Sequence, residues 1–381
     1  MILFGNIITR NFSSVLFSVN NKCGVITLNR PKAINALNLD MVKQIHPVLS
    51  SWARDDKISH VIVEGSGTKG FCAGGDIQSV IKDPFEKGSQ FFREEYQLNH
   101  LISIFKKPYI ALIDGIVMGG GVGISIHNKY RISTERSIFA MPETLIGLFP
   151  DVGSGYFLPR IRHKGLGLYL ALTGHRLKGA DLKHAHISTH HIDSKNLENL
   201  KNDLIKFDSS TSNEMAHENV HKILEKYISK DLPNFSLEDN LNFIGKHFDL
   251  DTERIDHDFA AIEKIIQKLE KENSDFAMIC IRNLQKMSPQ SLKITYRQLC
   301  EGKKCKSLEE NLKIEFRLAV NSLKNSDFKE GVRALLIDKD NSPKWSPNRL
   351  EDVTARLLEN YFLPMQDLPE WTIDPEIRDL L

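Results

Sequence analysis

Few features of this sequence assign it to a specialised class of protein. The 381 residues carry a net charge of +1, so no basic excess indicates nucleic acid or an anionic membrane as a partner. No apolar run approaches the roughly 20 residues of a membrane span. The five cysteines are scattered without a CxxC pair, which fits a reducing compartment and argues against structural disulfides or a thiolate metal site. The length and the 41% of hydrophobic residues are typical of a globular protein with a large core.

Acidic residues are missing from the beginning of the chain. The first is Asp40, and the opening segment MILFGNIITRNFSS combines one arginine with serine, threonine and asparagine. Mitochondrial transit peptides have this acid-poor, Arg- and Ser-containing composition. We therefore predict a transit peptide over residues 1–14 and a location in the mitochondrial matrix. The alternative is a short leader on a cytoplasmic protein.

Short β-runs alternate with helices in the first half of the chain. Two runs surround a turn within residues 15–28, and three compact strands follow. These are HVIVEG (60–65), YIALIDG (109–115) and YRIST (130–134). Glycine-rich loops follow the first two, and Asp76 is placed to cap a helix that starts at Ile77. The recurrence predicts an α/β fold in which repeated ββα units form a spiral over residues 15–195.

Helical patterns replace strands after about residue 195. One predicted helix face carries Ile255, Phe259, Ile262, Ile266 and Leu269, and another carries Leu308, Leu312, Phe316, Ala319 and Leu323. The segment KEGVRALLIDKD (329–340) is predicted to be the final helix. No linker rich in proline, glycine or serine separates the two halves. Residues 196–381 are therefore predicted to be a mainly helical C-terminal part packed on the core.

Two acids, Glu143 and Asp151, stand inside the apolar stretch FAMPETLIGLFPDVG (139–153). Two prolines and two glycines interrupt a regular helix there, so a shaped loop presents both carboxylates. The glycine-rich segments KGFCAGGDI (69–77) and GIVMGGGVGIS (115–125) are suitable partners. We interpret the ensemble as a catalytic site in which backbone amides hold a carbonyl and the acidic loop attacks it.

The order of these motifs resembles the crotonase (enoyl-CoA hydratase/isomerase) superfamily. GFCAGGDI, MGGGVG and MPETLIGLFPDVG carry the resemblance, together with NRPKAINALN near the start. A finer resemblance, to the branch of 3-hydroxyisobutyryl-CoA hydrolases, rests on FFREEY (91–96), YFLPR (156–160) and EGVRALLIDKD (330–340). The resemblance implies a crotonase-like spiral and a thioester hydrolase. The expected reaction converts 3-hydroxyisobutyryl-CoA and water to 3-hydroxyisobutyrate and CoA in valine catabolism.

The resemblance also implies roles for five residues. Ala73 and Gly120 would provide the N–H groups of an oxyanion hole, which stabilises the negative charge that a thioester oxygen gains during attack. Glu143 and Asp151 would be the catalytic acids. Glu143 acts either as a nucleophile, through a mixed anhydride, or as a general base for water. Glu95 would contact a hydroxyl group on the acyl chain, so that Glu95, Gly120, Glu143 and Asp151 all bind substrate.

One departure from the enoyl-CoA hydratases of this superfamily distinguishes the expected reactions. Those hydratases carry a second glutamate where this chain has Gly123, and a glycine where it has Asp151. The exchange favours hydrolysis over hydration or isomerisation, which is the alternative. A third hypothesis is a hydrolase-like protein associated with the mitochondrial ribosome. The resemblance implies no cofactor or metal and a small acyl-CoA partner, without nucleic acid or membrane, and leaves oligomer formation open.

Two further features have weaker functional interpretations. The segment LKHAHISTHH (182–191) contains four histidines, and His184 and His186 alternate as in a strand, but the spacing fits no firm zinc pattern. Arg30 and Lys32 either meet the anionic phosphates of CoA or are solvated loop charges.

Overall fold

The computed structural model describes residues 13–207, 212–250 and 259–380. The transit peptide predicted over residues 1–14 lies outside this range except for its last two residues. Ile255 of the first predicted helix face also lies outside it.

Ten strands are present in the described part of the chain. They are β1 (Val15–Asn20), β2 (Cys23–Leu28), β3 (His60–Gly65), β4 (Gly70–Cys72), β5 (Tyr109–Ile113), β6 (Ile116–Met118), β7 (Tyr130–Ser133), β8 (Ile138–Ala140), β9 (Leu177–Lys178) and β10 (His190–His191). One sheet has the order β1-β2-β3-β5-β7-β10 and the other the order β4-β6-β8-β9. β1 and β2 form the antiparallel hairpin predicted from residues 15–28, and the other neighbours in the larger sheet are parallel.

Consecutive strands alternate between the two sheets. β3, β5 and β7 enter the larger sheet, and β4, β6 and β8, which follow them directly, pair in parallel in the smaller one. Each turn of the chain therefore adds one strand to each sheet before a helix or loop returns it. This is the spiral of ββα units predicted from the sequence, and the prediction is confirmed.

The central strands β2, β3 and β5 of the larger sheet are mostly apolar and are buried on both faces. Side chains alternate in direction along a strand, so Val61 and Val63 enter one cluster of buried residues and Ile62 enters another. The first cluster includes side chains of the helices that begin at Leu39 and Phe85. The second includes the helices that begin at Leu197 and Asn213.

The described residues contain seventeen α-helices. They are α1 (Leu39–Arg54), α2 (Ile77–Lys82), α3 (Phe85–Ile104), α4 (Gly120–Ile126), α5 (Ser154–Phe157), α6 (Leu166–Thr173), α7 (Asp181–His184), α8 (Leu197–Lys206), α9 (Asn213–Glu225), α10 (Leu241–His247), α11 (Ala261–Glu272), α12 (Asp275–Leu284), α13 (Pro289–Lys304), α14 (Leu308–Lys324), α15 (Ser326–Val332), α16 (Ala355–Phe362) and α17 (Pro375–Arg378). The helical C-terminal part is confirmed. All five residues predicted for the second helix face are buried in α14.

Several local predictions are wrong. On the first predicted helix face, Ile262 and Leu269 are buried in α11 and Ile266 is partly buried against the core, as predicted. Phe259, however, precedes the helix, and the buried Ile265 was not predicted. α15 is not the final helix, because it continues into a π-helical turn and α16 and α17 follow. His184 ends the short helix α7 and His186 has a left-handed φ of 58°, so these two histidines do not lie on a strand.

The last described residues cover the outer side of α3. Trp371 is fully buried, and its indole N–H donates to the Arg93 carbonyl at 3.2 Å. The Gln97 amide donates to the Thr372 carbonyl at 2.6 Å and its oxygen accepts from the Asp374 N–H at 3.0 Å. The C-terminal segment thus holds α3 from outside, while the other side of that helix faces the site described next. Among the described residues, no helix is both long and apolar enough to cross a membrane.

Candidate active site

A cavity of about 200 Å³ lies where both glycine loops, α3 and the acidic loop meet. All five predicted site residues line it, namely Ala73, Glu95, Gly120, Glu143 and Asp151. The apolar part of its wall consists of Ile77, Phe92, Met118, Ile146, Leu148 and Leu336. The fold therefore brings together residues that are far apart in the sequence, in a space with few polar groups besides the acids.

The acidic loop is shaped by its own tight turn and by a contact with the C-terminal part. Glu143 follows Pro142 and begins a 3₁₀ turn that ends at Gly147, whose φ of 73° is left-handed. A Cβ on Gly147 would overlap the backbone of Asp327 in α15, so only glycine fits this contact. The loop is thus packed against the C-terminal helices, and Glu143 and Asp151 are both buried.

Three buried carboxyl groups face this cavity and disfavour one another's ionisation. Burial raises the pKa of Glu95 well above its usual range, and the charges of Asp151 and Glu143 raise it further. Burial and the charge of Asp151 act in the same way on the pKa of Glu143. The pKa of Asp151 rises to about 7 because of burial, an effect opposed by the Tyr96 hydroxyl, which donates to Oδ2 at 3.0 Å. All three groups are therefore biased toward the protonated form, and Asp151, whose charge raises the pKa of the other two, ionises first.

Two carboxylate oxygens in this cluster lack a hydrogen-bond partner among the described residues. They are Glu95 Oε1 and Glu143 Oε2, and both are buried. Buried polar atoms are usually hydrogen-bonded, so these oxygens indicate a missing polar ligand. Their positions also explain two glycines. A Cβ on Gly120 would overlap Glu95 Oε1, and one on Gly119 would lie 2.9 Å from Glu143 Oε1.

Two backbone amides face the same space. Gly120 is the first residue of α4, and N–H groups in the first turn of a helix have no acceptor within the helix. The Gly75 nitrogen lies 3.3 Å from the point that a Cβ on Gly120 would occupy. No acceptor for the Gly75 N–H is found among the described residues. These two donors converge beside Glu95 and Glu143.

The predicted role of the Ala73 amide is contradicted by its hydrogen bond. The Ala73 N–H donates to the Ile34 carbonyl at 2.9 Å and is therefore not free to bind a ligand. Gly74 has a φ of 109°, which turns the chain between Ala73 and Gly75 and leaves the Gly75 amide on the cavity side. Among the residues that the structure describes, the amide of this loop that faces the cavity without an acceptor is therefore that of Gly75, not that of Ala73.

At Gly123, where the related hydratases are expected to carry their second glutamate, two neighbouring side chains fill the space. A Cβ on Gly123 would lie 2.7 Å from Val152 Cβ and 2.8 Å from Asn99 Nδ2. Asn99 is fully buried, and neither its amide oxygen nor its nitrogen has a partner in the described ranges. No side chain larger than hydrogen fits at Gly123 without movement of Asn99 or of the residue that follows Asp151.

Other predicted contacts have different outcomes. Asp76 occupies the residue before α2 but does not cap it, because its carboxylate accepts from Arg30 Nη2 at 2.8 Å. Arg30 also donates to the Ala36 carbonyl at 2.6 Å, so its guanidinium ties two loops together. Lys32 is exposed. Within the described ranges, no group of three or more side chains is arranged to hold a metal ion, and this includes the histidines of 182–191.

Tyr96 was missed as a site residue, although it belongs to the FFREEY segment. Phe92, Glu95, Tyr96 and Asn99 share one face of α3, where the spacing i, i+3, i+4 and i+7 is usually apolar. Three polar side chains on such a face are a detectable signal. They indicate a helix that lines a polar site instead of packing only against a core.

Comparison with known proteins places this geometry in a family. Residues 23–362 match the family model for enoyl-CoA hydratase/isomerase. The mitochondrial 3-hydroxyisobutyryl-CoA hydrolase of Homo sapiens is 48% identical over 358 residues, which cover 91% of this chain and 88% of the human protein. The same-named protein of Rattus norvegicus is 49% identical over 355 residues, covering 92% and 89% of the two chains.

Solved structures agree with this assignment. A carnitinyl-CoA dehydratase from Mycobacterium thermoresistibile superposes with a TM-score of 0.84 at 33% identity, over 95% of this chain and 99% of that one. An enoyl-CoA hydratase from Rhodobacter sphaeroides gives a TM-score of 0.79 at 30% identity, over 93% and 98%. The chain therefore belongs to the enoyl-CoA hydratase/isomerase family, in the group of its 3-hydroxyisobutyryl-CoA hydrolases.

Proposed function

We propose that this protein hydrolyses 3-hydroxyisobutyryl-CoA to 3-hydroxyisobutyrate and CoA. Relatives with 48–49% identity over about nine-tenths of the chain bear the name of this activity. The observation that carries the proposal is the group of three buried carboxyls beside two free amides, with the hydratase position at Gly123 filled by Asn99 and Val152.

In this proposal the amides of Gly75 and Gly120 bind the thioester oxygen. That oxygen gains negative charge when the carbonyl carbon is attacked, and fixed N–H donors stabilise the charge without reorganisation. Each such donor is typically worth about 10²–10³ in rate. Gly75 takes the place first given to Ala73, and the absence of a side chain at Gly120 keeps Glu95 close to the bound group.

Glu95 provides specificity for a hydroxylated acyl chain. Its Oε1 is buried without a partner at the edge of the amide pair, so a substrate hydroxyl that donates there removes an uncompensated polar atom. A substrate without the hydroxyl leaves that atom unpaired, which costs binding energy. The apolar wall around it accommodates the methyl-bearing carbon chain.

Glu143 and Asp151 perform the chemistry together. Glu143 lies against the glycine turn, next to the carbonyl position, and Asp151 is the carboxyl of the cluster that ionises most readily. Asp151 therefore takes up a proton, from Glu143 itself where Glu143 attacks, or through Glu143 from the attacking water. It gives this proton to the sulfur as the thiolate of CoA departs. Water supplies the new oxygen on the acyl carbon, the C–S bond breaks and the sulfur is protonated.

Hydration is the competing activity, because the two structural neighbours are named as a dehydratase and a hydratase. The two reactions are separated by offering the protein 3-hydroxyisobutyryl-CoA and crotonyl-CoA. We expect free thiol from the first and no loss of the double bond in the second. Hydration of crotonyl-CoA without thiol release from 3-hydroxyisobutyryl-CoA would refute the proposal.

The role of Glu143 is tested by Glu143→Gln. We expect turnover to fall by about 10²–10⁴, since general-base or nucleophilic participation contributes effects of this size, while circular dichroism stays unchanged. Glu94→Gln, one residue before Glu95 and outside the cavity lining, is the matched control and should retain activity. Wild-type turnover by Glu143→Gln contradicts the assigned role.

The two routes for Glu143 differ in whether the side chain is acylated. Reduction with borohydride during turnover converts an acylated glutamate to an alcohol, which peptide mass spectrometry detects at residue 143. Reduction at this position indicates a mixed anhydride. An intact Glu143 under conditions of steady turnover indicates activation of water.

The relatives are named as mitochondrial proteins, and we propose that this protein acts in the matrix. The acid-poor opening segment supports this location. Fractionation of the tagged full-length protein tests it. Recovery in the cytoplasmic fraction, or with the mitochondrial ribosome, would favour one of the alternatives drawn from the sequence.

A further inference from the structure

A fourth buried carboxylate lies behind the acidic loop, outside the cavity. Glu315 belongs to α14 in the C-terminal part and is fully buried. Its Oε2 accepts from the Gly153 N–H at 2.6 Å, and its Oε1 accepts from the Gly155 N–H at 2.9 Å. Both amides belong to the segment that follows Asp151.

Two amide side chains complete the coordination of Glu315. Asn311 Nδ2 and Gln298 Nε2 donate to Oε1 at 2.7 and 3.0 Å. All four partners are donors, an arrangement that matches an ionised carboxylate and leaves no acceptor for a carboxyl proton. Burial raises the pKa of Glu315 to about 8, and the hydrogen bonds from Gly153, Gly155 and Asn311 act against this rise.

The same amide of Gln298 also donates to the Pro150 carbonyl at 2.6 Å. The backbone is therefore held on both sides of Asp151, at Pro150 before it and at Gly153 after it. Between these points Val152 has a left-handed φ of 53°, which is unfavourable for a β-branched residue. Such a conformation persists only where surrounding contacts impose it.

The other face of this segment is held by the spiral core. His127 Nε2 donates to the Val152 carbonyl at 2.7 Å, and Val152 Cβ fills the space above Gly123. The loop is thus enclosed between α4 and the residue that follows it on one side and α13 and α14 on the other. The polar anchors on the C-terminal side all meet at Glu315.

We propose that Glu315 is a positioning residue for catalysis, which fixes the backbone of residues 150–155 so that the Asp151 carboxylate meets Tyr96 and the cavity. This inference rests on the proposed hydrolase function. It assigns a catalytic purpose to the helical C-terminal part, whose α14 would otherwise serve only as a cover. Glu315 itself does not line the cavity and touches no reacting atom.

The charge of Glu315 adds a second, measurable effect. Burial and the charge of Asp151 raise the pKa of Glu315, so Glu315 loses its proton near pH 8, above the range in which Asp151 titrates. Because only the ionised carboxylate accepts from all four donors, the anchor strengthens as the pH rises through about 8. The ionisable groups around Asp151 are Glu95 and Tyr96 of α3, Glu143 of its own loop, Glu315 of α14 and His127 against the neighbouring carbonyl. Only Glu315 changes in the variant below.

The test replaces Glu315 with glutamine and measures kcat, KM and the pH dependence of thiol release. A glutamine side chain turns an NH₂ group toward the donor amides of Gly153 or Gly155, so the loop loses an anchor. We expect kcat to fall at least tenfold and KM to change less than threefold. We also expect the variant to lack the rise in kcat that wild type shows as the pH passes through about 8. Glu309→Gln is the matched control, since it removes a carboxylate from the same helix. The Glu309 carboxylate pairs with Lys313 at the surface.

Two results would overturn the inference. One is a folded Glu315→Gln protein with wild-type kcat and pH profile. The other is a fall in kcat in a variant that keeps the rise in kcat through about pH 8, which indicates a purely structural role. If Glu315→Gln does not fold, Gln298→Met is the second variant. It removes the hydrogen bond to the Pro150 carbonyl but keeps both glycine amides on Glu315. Its kcat should fall by about threefold to tenfold, and an unchanged kcat overturns the inference. Wild-type protein that releases no thiol refutes the proposed function instead.

Discussion

Replacement of Gly123 by alanine should destabilise the protein and displace Asp151. The added Cβ would lie 2.7 Å from Val152 Cβ and 2.8 Å from Asn99 Nδ2, closer than such atoms approach in folded proteins. Neither neighbour can withdraw easily, because Asn99 is fully buried and Val152 is held in a left-handed conformation. Overpacking of this kind typically costs about 1–3 kcal/mol. Alanine gains about 1 kcal/mol over glycine within a helix, so we expect a net loss of up to about 2 kcal/mol.

The assay combines urea unfolding with turnover of 3-hydroxyisobutyryl-CoA. Gly245→Ala in α10 is the matched control, since its Cβ would find Lys164 atoms at 3.4 and 3.5 Å, which is ordinary contact. The control should gain about 0.5–1 kcal/mol and retain kcat. Gly123→Ala should change stability in the opposite direction and lose activity, because Val152 adjoins Asp151. Equal stability of the two variants would refute the reasoning that this space is filled.

Two further predictions concern the charge cluster and the amide pair. The pKa of Asp151 is about 7 in the folded protein and near 3.8 when unfolded, so the native state binds more protons between these values and its stability falls as pH rises through this window. Asp151→Asn removes the cost of ionising this carboxyl group in the folded protein. In urea unfolding, the variant should therefore gain more stability over wild type at pH 8 than at pH 5. An equal gain at both pH values would contradict the raised pKa of Asp151. Gly120→Ala places a Cβ onto Glu95 Oε1. This variant should lower kcat/KM about 10²-fold with little loss of stability. Activity equal to that of Gly245→Ala would show instead that the Glu95 side chain has room to move.

The larger sheet could be predicted because its signals are local. Strands such as β3 and β5 are short continuous apolar runs bounded by turn residues, and the buried face of α14 repeats at helical spacing. The smaller sheet carries no such signal. Its strands are two or three residues long, and their pairing depends on how successive turns of the spiral stack.

The acidic half of the site was predictable, but the amide half was only located approximately. A loop of glycines indicates close backbone approach without showing which N–H is free. That depends on the bond from Ala73 to Ile34 and on the left-handed turn at Gly74, and both require the three-dimensional path of the chain. Carboxylates differ in this respect, since an acid inside an apolar loop beside glycine-rich segments is a candidate for function by its residue type and its surroundings in the sequence.

Glu315 shows where sequence reasoning stopped short. It lies 162 residues from Gly153, so no local motif connects the two. A signal did exist. Position 315 stands on the same face of α14 as Leu312 and Phe316, where a charged residue is unexpected unless it is paired. An acid on an apolar helix face predicts a buried polar partner, although not which one.

The four buried acids in and behind the cavity differ in how many hydrogen-bond donors each receives, and this difference separates their proposed roles. Glu315 has four donors, which hold its carboxyl group in one position and make it suitable as a fixed anchor. Asp151 has one side-chain donor, the Tyr96 hydroxyl, and its pKa of about 7 lets it exchange a proton near neutral pH. Glu95 and Glu143 each keep an oxygen without a donor, so their interactions are completed only when a substrate with a hydroxyl and a carbonyl enters. The carboxyl group with the most hydrogen bonds thus lies away from the reaction, and those with fewer hydrogen bonds face the substrate. A carboxyl group whose oxygens already accept hydrogen bonds gains little by binding or attacking a ligand.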